Sequence, residues 1–285
     1  MTVAYPYKVH TANLSHCNIA YIDEGKGPKT LLFIHGLASY ALCWEYNINE
    51  LKDHYRCIAI DLPGNGFSDR GDRAYTMHFF ADAVYEFIQK LELKSVCLVG
   101  HSMGGQIAMT TLINHPTCAD ELVLCAPAGF EVFSALEKAL YQTSLHISDF
   151  LSTEEQGLRH VVQNSFYRNP QQGNGMISDL IKLMETYPMS QYRKMVEGCI
   201  LSMVNEPIFD RLNSISQPTL VLFGMYDALI PNKLIHHTTT QKIAEAGVHK
   251  ISGAVLKMIP DCGHFVQWEK AGEVNKYMLN FLETN

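Results

Sequence analysis

The sequence is poor in the features that mark several broad classes of protein. It has no excess of basic residues: 22 Lys and Arg stand against 29 Asp and Glu, a formal net charge of -7. That balance offers no basic stripe for a phosphate backbone, so no nucleic acid partner is expected. No apolar run is long enough to span a bilayer, and the opening MTVAYPYKVH lacks the charged start and apolar run of a signal peptide. A cytoplasmic protein with no stable membrane insertion is the resulting expectation. The eight cysteines include no CxxC and no paired spacing suited to zinc. Cys57, Cys97 and Cys125 lie inside apolar runs, where cysteine serves as a small hydrophobe, and all eight are read as free thiols with no metal. Nothing in the sequence fixes an oligomeric state.

What is present is a chain of 285 residues, 47% hydrophobic and 18% charged, large enough to bury a sizeable core. Short apolar runs alternate with amphipathic segments, the pattern of an α/β fold in which helices flank a mostly parallel sheet. Strands are expected at residues 30–34, 56–60, 95–99, 121–125, 219–223 and 255–259. Residues 7–10 and 18–22 read as an antiparallel hairpin added at one edge. Helical periodicity runs through 75–91, 105–114 and 266–282.

The alternation stops between residues 128 and 212, where helical segments follow one another without a strand. A capping-box pattern, Ser152-Thr-Glu-Glu155, opens one of them, and Tyr187-Pro188 marks a later boundary. An insertion of this length at the carboxyl end of a strand predicts a lid over a ligand crevice. The expected organisation is a core of residues 1–127 and 213–285 with a helical lid at 128–212.

The most informative stretch is Gly100-His-Ser-Met-Gly104, at the point where an apolar β-branched run becomes a helix. In G-x-S-x-G the serine occupies a strained strand-to-helix corner that projects its hydroxyl out of the sheet. A serine hydroxyl needs a base to remove its proton, and the base needs an acid to orient it. Among 13 histidines, His264 follows the last strand in Ile259-Pro-Asp-Cys-Gly-His264, on the same carboxyl edge as Ser102. Asp227 lies in the loop after residues 219–223, whereas the neighbouring edge offers only Ala126-Pro-Ala-Gly129. Asp227 is the first choice of acid, with Asp261 as a minor alternative.

The order Ser102, Asp227, His264 is similar to that of the α/β-hydrolase superfamily, and the resemblance runs nearly end to end. Phe33-Ile-His-Gly36 and Asp61-Leu-Pro-Gly-Asn-Gly-Phe-Ser68 resemble its supporting motifs. The resemblance implies an oxyanion hole from the backbone N–H groups of Leu37 and Met103, with His35 holding the loop. Serine at the elbow implies acyl transfer to water with no cofactor, unlike relatives with an aspartate nucleophile. A serine hydrolase of the carboxylesterase kind, cleaving small to medium esters, is therefore expected. Candidate walls of its substrate pocket are Phe130, Phe133, Leu136 and Leu140 from the lid and Phe265 beside the base.

A rival resemblance comes from the tail Cys262-Gly-His-Phe-Val-Gln-Trp-Glu269, which is similar to hydrolases that cleave a carbon–carbon bond in aromatic ring-fission products. That reading implies a ketone substrate with a carboxylate, for which Arg159, Arg168 and Arg193 are candidate cations. Against it, Leu37-Ala-Ser-Tyr40 departs from that group's glycine-rich loop, His101 stands for its usual Asn and Phe265 for its usual Trp. A slow-turnover small-molecule receptor of the same fold is a third alternative.

Overall fold

The computed structural model describes residues 3–144, 155–185 and 188–285. Eight strands form one sheet: β1 (Val9–Asn13), β2 (Asn18–Glu24), β3 (Thr30–Ile34), β4 (Arg56–Ile60), β5 (Val96–His101), β6 (Glu121–Cys125), β7 (Thr219–Gly224) and β8 (Val255–Ile259). Their order is β1-β2-β4-β3-β5-β6-β7-β8. The β1–β2 hairpin joins antiparallel to β4, and the remaining pairs are parallel. The α/β class, the edge hairpin and all six expected strands are thus observed.

The apolar runs are continuous because both faces of the sheet are covered. Leu32, Ile34, Ile58, Ile60, Leu98 and Leu122 enter one buried cluster, while their neighbours Leu31, Phe33, Cys57, Ala59, Cys97 and Val123 enter the other. The first face packs on α2 (Met77–Lys90) and α3 (Met103–Asn114), the second on α1 (Glu45–Leu51), α9 (Val266–Glu269) and α10 (Ala271–Thr284). All eight cysteines are free and buried. Among the described residues no helix is long and apolar enough to cross a membrane.

Between β6 and β7 the described chain is helical: α4 (Ala135–Ser144), α5 (Glu155–Asn164), α6 (Asn174–Glu185) and α7 (Met189–Asn205), with short 3-10 turns between and after them. The segment spans both layers. Met195, Val196 and Cys199 of α7 join the first cluster, and Leu158, Val162, Ile177 and Leu180 of α5 and α6 join the second. α8 (Thr240–Val248) then links β7 to β8. Residues 152–154 of the expected capping box, and Tyr187, lie outside the described residues.

The expected helix over 266–282 is divided, because Lys270 leaves helical geometry at φ -127° and ψ 42° between α9 and α10. The apolar face is shared by the two pieces, through Val266 on one and Val274 and Met278 on the other, so periodicity does not show the break. Strands β3 to β8 run parallel, so each delivers its carboxyl end to the same edge of the sheet. The chain steps from β3 outward to β4, then back across to β5, and in such sheets a ligand crevice opens at the carboxyl ends where direction reverses. Leu37 follows β3 and Ser102 follows β5.

Candidate active site

The residues expected at the elbow adopt an uncommon backbone geometry. Ser102 has φ 53° and ψ -119°, in the left-handed half of φ space that costs a non-glycine residue about 1–3 kcal/mol. Its surroundings hold it there. The Ser102 N–H donates to the Cys125 carbonyl at 3.0 Å, and its own carbonyl accepts from Gly105 at 2.9 Å and Ala128 at 3.0 Å. Gly104 is packed so closely on the Ile34 and His35 carbonyls that a Cβ would overlap both. The elbow and the end of β3 are therefore in backbone contact, and α3 begins at Met103 with its N-terminus at this crevice.

His35 fixes the other side. It is fully buried, and burial pulls its pKa down to about 4, so the ring is neutral. Its Nε2 accepts the Leu62 N–H at 2.9 Å, which leaves the proton on Nδ1 to donate to the Gly36 carbonyl at 2.7 Å. That carbonyl shares a trans peptide with the Leu37 N–H, so drawing the oxygen toward His35 turns the N–H the opposite way. Among the described residues neither the Leu37 nor the Met103 N–H donates to another protein group.

The base and acid candidates meet at the same edge. His264 Nδ1 donates to Asp227 Oδ2 at 2.8 Å, with both side chains buried. The second Asp227 oxygen accepts the backbone N–H groups of Leu229 at 2.8 Å and Ile230 at 3.0 Å. The carboxylate is thus satisfied on both oxygens and rigidly aimed, which is what a buried charge requires. Asp261 goes elsewhere: it pairs with Arg168 at 3.1 Å on the surface, at 49% side-chain exposure. Of the two acids, only Asp227 reaches the imidazole.

His101 adds a contact that the sequence did not reveal. Its Nε2 lies 3.1 Å from the His264 carbonyl, and its ring lies 4.9 Å from the His264 ring. Burial, and then the neighbouring His264, hold its pKa well below the usual imidazole range. A neutral ring must carry its proton on Nε2 to make this bond, so the residue before Ser102 ties the nucleophile strand to the base loop. A lone histidine inside the elbow motif carries no spacing signal for such a contact.

The expected pocket walls separate. Phe130 is 1% exposed and belongs to the core, packed on Phe223 and close to Gly247 of α8. Leu136 and Leu140 are 71% and 57% exposed. Phe133 packs on the His236 ring at 5.2 Å. The reason is local: His236 lies between Glu131 at 2.6 Å and Glu137 at 3.3 Å, a pairing that seats the start of α4 on the loop after β7 and leaves the leucines outward. Phe265 lies with its ring 4.8 Å from His101 and stacked on Phe166 of the inserted segment at 5.4 Å. A cavity of about 20 Å³, room for a single water, lies between Ala38, Ser39, Asn65 and Arg70 of the core and Leu180, Leu183, Met184 and Tyr192 of α6 and α7. Of the three arginines, Arg168 is held by Asp261, Arg193 is exposed and Arg159 is half-buried. No group of three or more metal-ligating side chains is found among the described residues.

Comparison with known proteins places this geometry in a family. Residues 29–271 match the alpha/beta hydrolase fold. The chain belongs to the α/β-hydrolase family. This α/β-hydrolase, an enzyme of the hydrolase class, is 27% identical to the dihydrolipoyllysine-residue acetyltransferase component of the acetoin cleaving system of Cupriavidus necator, over 95% of this chain and 68% of that protein. It is 26% identical to a 2-hydroxy-6-oxononadienedioate/2-hydroxy-6-oxononatrienedioate hydrolase of Escherichia coli, over 93% of this chain and 90% of that one. Among solved structures it is similar to a thermophilic esterase from Thermogutta terrifontis, with a TM-score of 0.78, 22% identity, and 97% and 98% of the two chains covered. These relatives carry different reactions on one fold, so the choice among them rests on the site.

Proposed function

We propose that this hydrolase cleaves small to medium carboxylic esters through a covalent acyl-serine intermediate. In this reading Ser102 Oγ attacks the ester carbonyl while His264 Nε2 takes the hydroxyl proton. Asp227 keeps the proton of the other ring nitrogen in place and stabilises the imidazolium that forms. The tetrahedral oxyanion is received by the Leu37 and Met103 N–H groups, each worth about 3 kcal/mol in comparable sites. Collapse expels the alcohol, which takes its proton from His264; water then repeats the sequence on the acyl-enzyme and regenerates Ser102. Residues 128–212 act as the lid.

The observation that carries the proposal is the buried His264–Asp227 hydrogen bond of 2.8 Å at the same sheet edge as a serine in the strained elbow conformation. The second reading, carbon–carbon bond hydrolysis, draws on the 26% identity to the Escherichia coli ring-fission hydrolase over nearly the whole of both chains. Side-by-side kcat/KM values on p-nitrophenyl esters and on a dienoate ring-fission substrate separate the two. Esters are expected to win by at least about tenfold, roughly 1.4 kcal/mol in transition-state binding. Ser102→Ala is expected to abolish both activities while leaving the fold intact. A dienoate preference would replace the ester reading, and a single slow turnover on every substrate would favour a receptor.

A further inference from the structure

Four consecutive residues of the inserted segment, Ser165 to Arg168, each contact the acid and base loops. The Ser165 carbonyl accepts the His264 N–H at 2.7 Å. Phe166 stacks on Phe265, with their planes 8° apart. The Tyr167 ring stacks on Tyr226, the residue before Asp227, at 3.9 Å. Arg168 pairs with Asp261. At the centre of this run is a carboxylate with no part in the chemistry described so far. Glu269, at the end of α9, accepts the Gly263 N–H at 2.8 Å and the Tyr167 N–H at 3.1 Å. A Cβ on Gly263 would stand 2.5 Å from the Ser165 carbonyl, so the two backbones touch with no side chain between them.

We propose that Glu269 is a positioning residue that clips the inserted segment to the base loop, so that the lid and His264 are placed together. The inference rests on the serine-hydrolase reading for its kinetic consequence. The chemistry is that of a bracket. Gly263 precedes His264, and its N–H has no strand or helix to enter; the same is true of Tyr167 in the turn after α5. One carboxylate receives both, with the stronger bond that an ionised acceptor gives. With the Gly263 amide fixed on one side and the His264 amide held by Ser165 on the other, the peptide between them has little freedom to rotate. The imidazole therefore keeps its aim at Asp227 on one nitrogen and at the crevice on the other. Displacement of the inserted segment would carry the base with it.

The test compares wild type, Glu269→Ala, Glu269→Gln, Arg168→Ala and Ser102→Ala. Steady-state kinetics on p-nitrophenyl butyrate are combined with residue-resolved amide hydrogen exchange. In Glu269→Ala, kcat is expected to fall about 10- to 100-fold with KM within about twofold, because a small misplacement of a reacting group costs rate rather than binding. The Gly263 and Tyr167 amides should exchange faster, while amides of β5 and β7 do not change. Glu269→Gln keeps one acceptor oxygen, so it should recover most of kcat and protect one of the two amides. Arg168→Ala should match wild type, since its ion pair is exposed. Wild-type kcat in Glu269→Ala, or no change in exchange at either amide, would overturn the proposal. If Glu269→Ala does not fold, Glu269→Gln decides: unchanged exchange at both amides overturns it, and faster exchange at one supports it. Hydrolysis surviving in Ser102→Ala would instead refute the serine mechanism and leave the exchange result to judge the clip.

Discussion

The carboxyl edge of the sheet and the helical insertion are built on different principles, although they pack directly against each other. At the edge, the position of each functional group is set by backbone. Ser102 is held by the Cys125 carbonyl, Asp227 by the Leu229 and Ile230 amides, and Leu37 by the peptide that His35 orients. The insertion meets the core largely through side chains, in the Phe166–Phe265 stack, the Glu269 bracket and His236 between Glu131 and Glu137, beside the backbone bond from the His264 N–H to the Ser165 carbonyl. Backbone placement survives changes of neighbouring side chains. Side-chain placement does not, so the edge should tolerate variation around a fixed set of groups better than the insertion does.

The sharpest way to break this contrast is at the two acids of the edge, one fixed by backbone amides and the other paired with an arginine of the insertion. Asp227→Asn should lower kcat by about 10⁴-fold, because an amide that donates to Nδ1 enforces the wrong imidazole tautomer. Asp261→Asn, which loses only an exposed ion pair, should stay within about twofold of wild type. Steady-state kinetics on one ester decide the matter, and the reverse ranking would move the acid to Asp261.

A second comparison uses the two kinds of apolar residue found around the start of the insertion. Phe130→Ala should destabilise the fold by about 3–5 kcal/mol, since it opens a cavity against Phe223 in a closed core. Leu136→Ala, at an exposed position, should change stability by no more than about 0.5 kcal/mol. Urea denaturation of the two variants reads this directly. Equal losses would mean that Leu136 is covered in solution.

These residues also show what the sequence could and could not disclose. The arrival of Ser102, Asp227 and His264 at one edge was legible because each follows a strand whose apolar run is unmistakable, and parallel strands deliver their carboxyl ends together. The helical character of the insertion was legible as the absence of further strands. Its contacts were not. Leu136 and Leu140 have the same helical spacing as buried residues, and periodicity reports that a helix has an apolar face without saying what covers it. The Glu269 carboxylate reaches the Tyr167 amide 102 positions away in the chain, and backbone donors leave no mark in a sequence. The break at Lys270 escaped for a similar reason, since the apolar face continues across it.

A smaller effect separates the edge from solvent by pH. His35 is pulled down to about 4 by burial and His101 is held well below the imidazole range, again chiefly by burial. The unfolded chain protonates both below about pH 6.5, whereas the fold resists, so their contribution to stability is present above that pH and is lost on acidification toward 4. Asp61 acts the other way. Burial raises it to about 6 despite hydrogen bonds from Phe67, Ala41 and Tyr5, so the fold binds its proton more readily than the unfolded chain does. Its penalty is relieved as pH falls from 6 toward 3.8. Two histidines against one carboxyl should leave a net loss of stability between pH 7 and pH 5. Urea midpoints at the two pH values measure it, and a rise in stability toward pH 5 would show that Asp61 outweighs the pair.

The most direct measurement of the serine mechanism is covalent labelling with a fluorophosphonate, followed by intact mass and peptide mapping. Phosphonylation needs an activated hydroxyl and an oxyanion hole, and it requires no knowledge of the natural substrate. Wild type should gain one adduct, on Ser102, and lose ester hydrolysis in step with it, while Ser102→Ala should gain none. An adduct on a different residue, or ester hydrolysis that continues undiminished in fully labelled protein, would contradict Ser102 as the nucleophile.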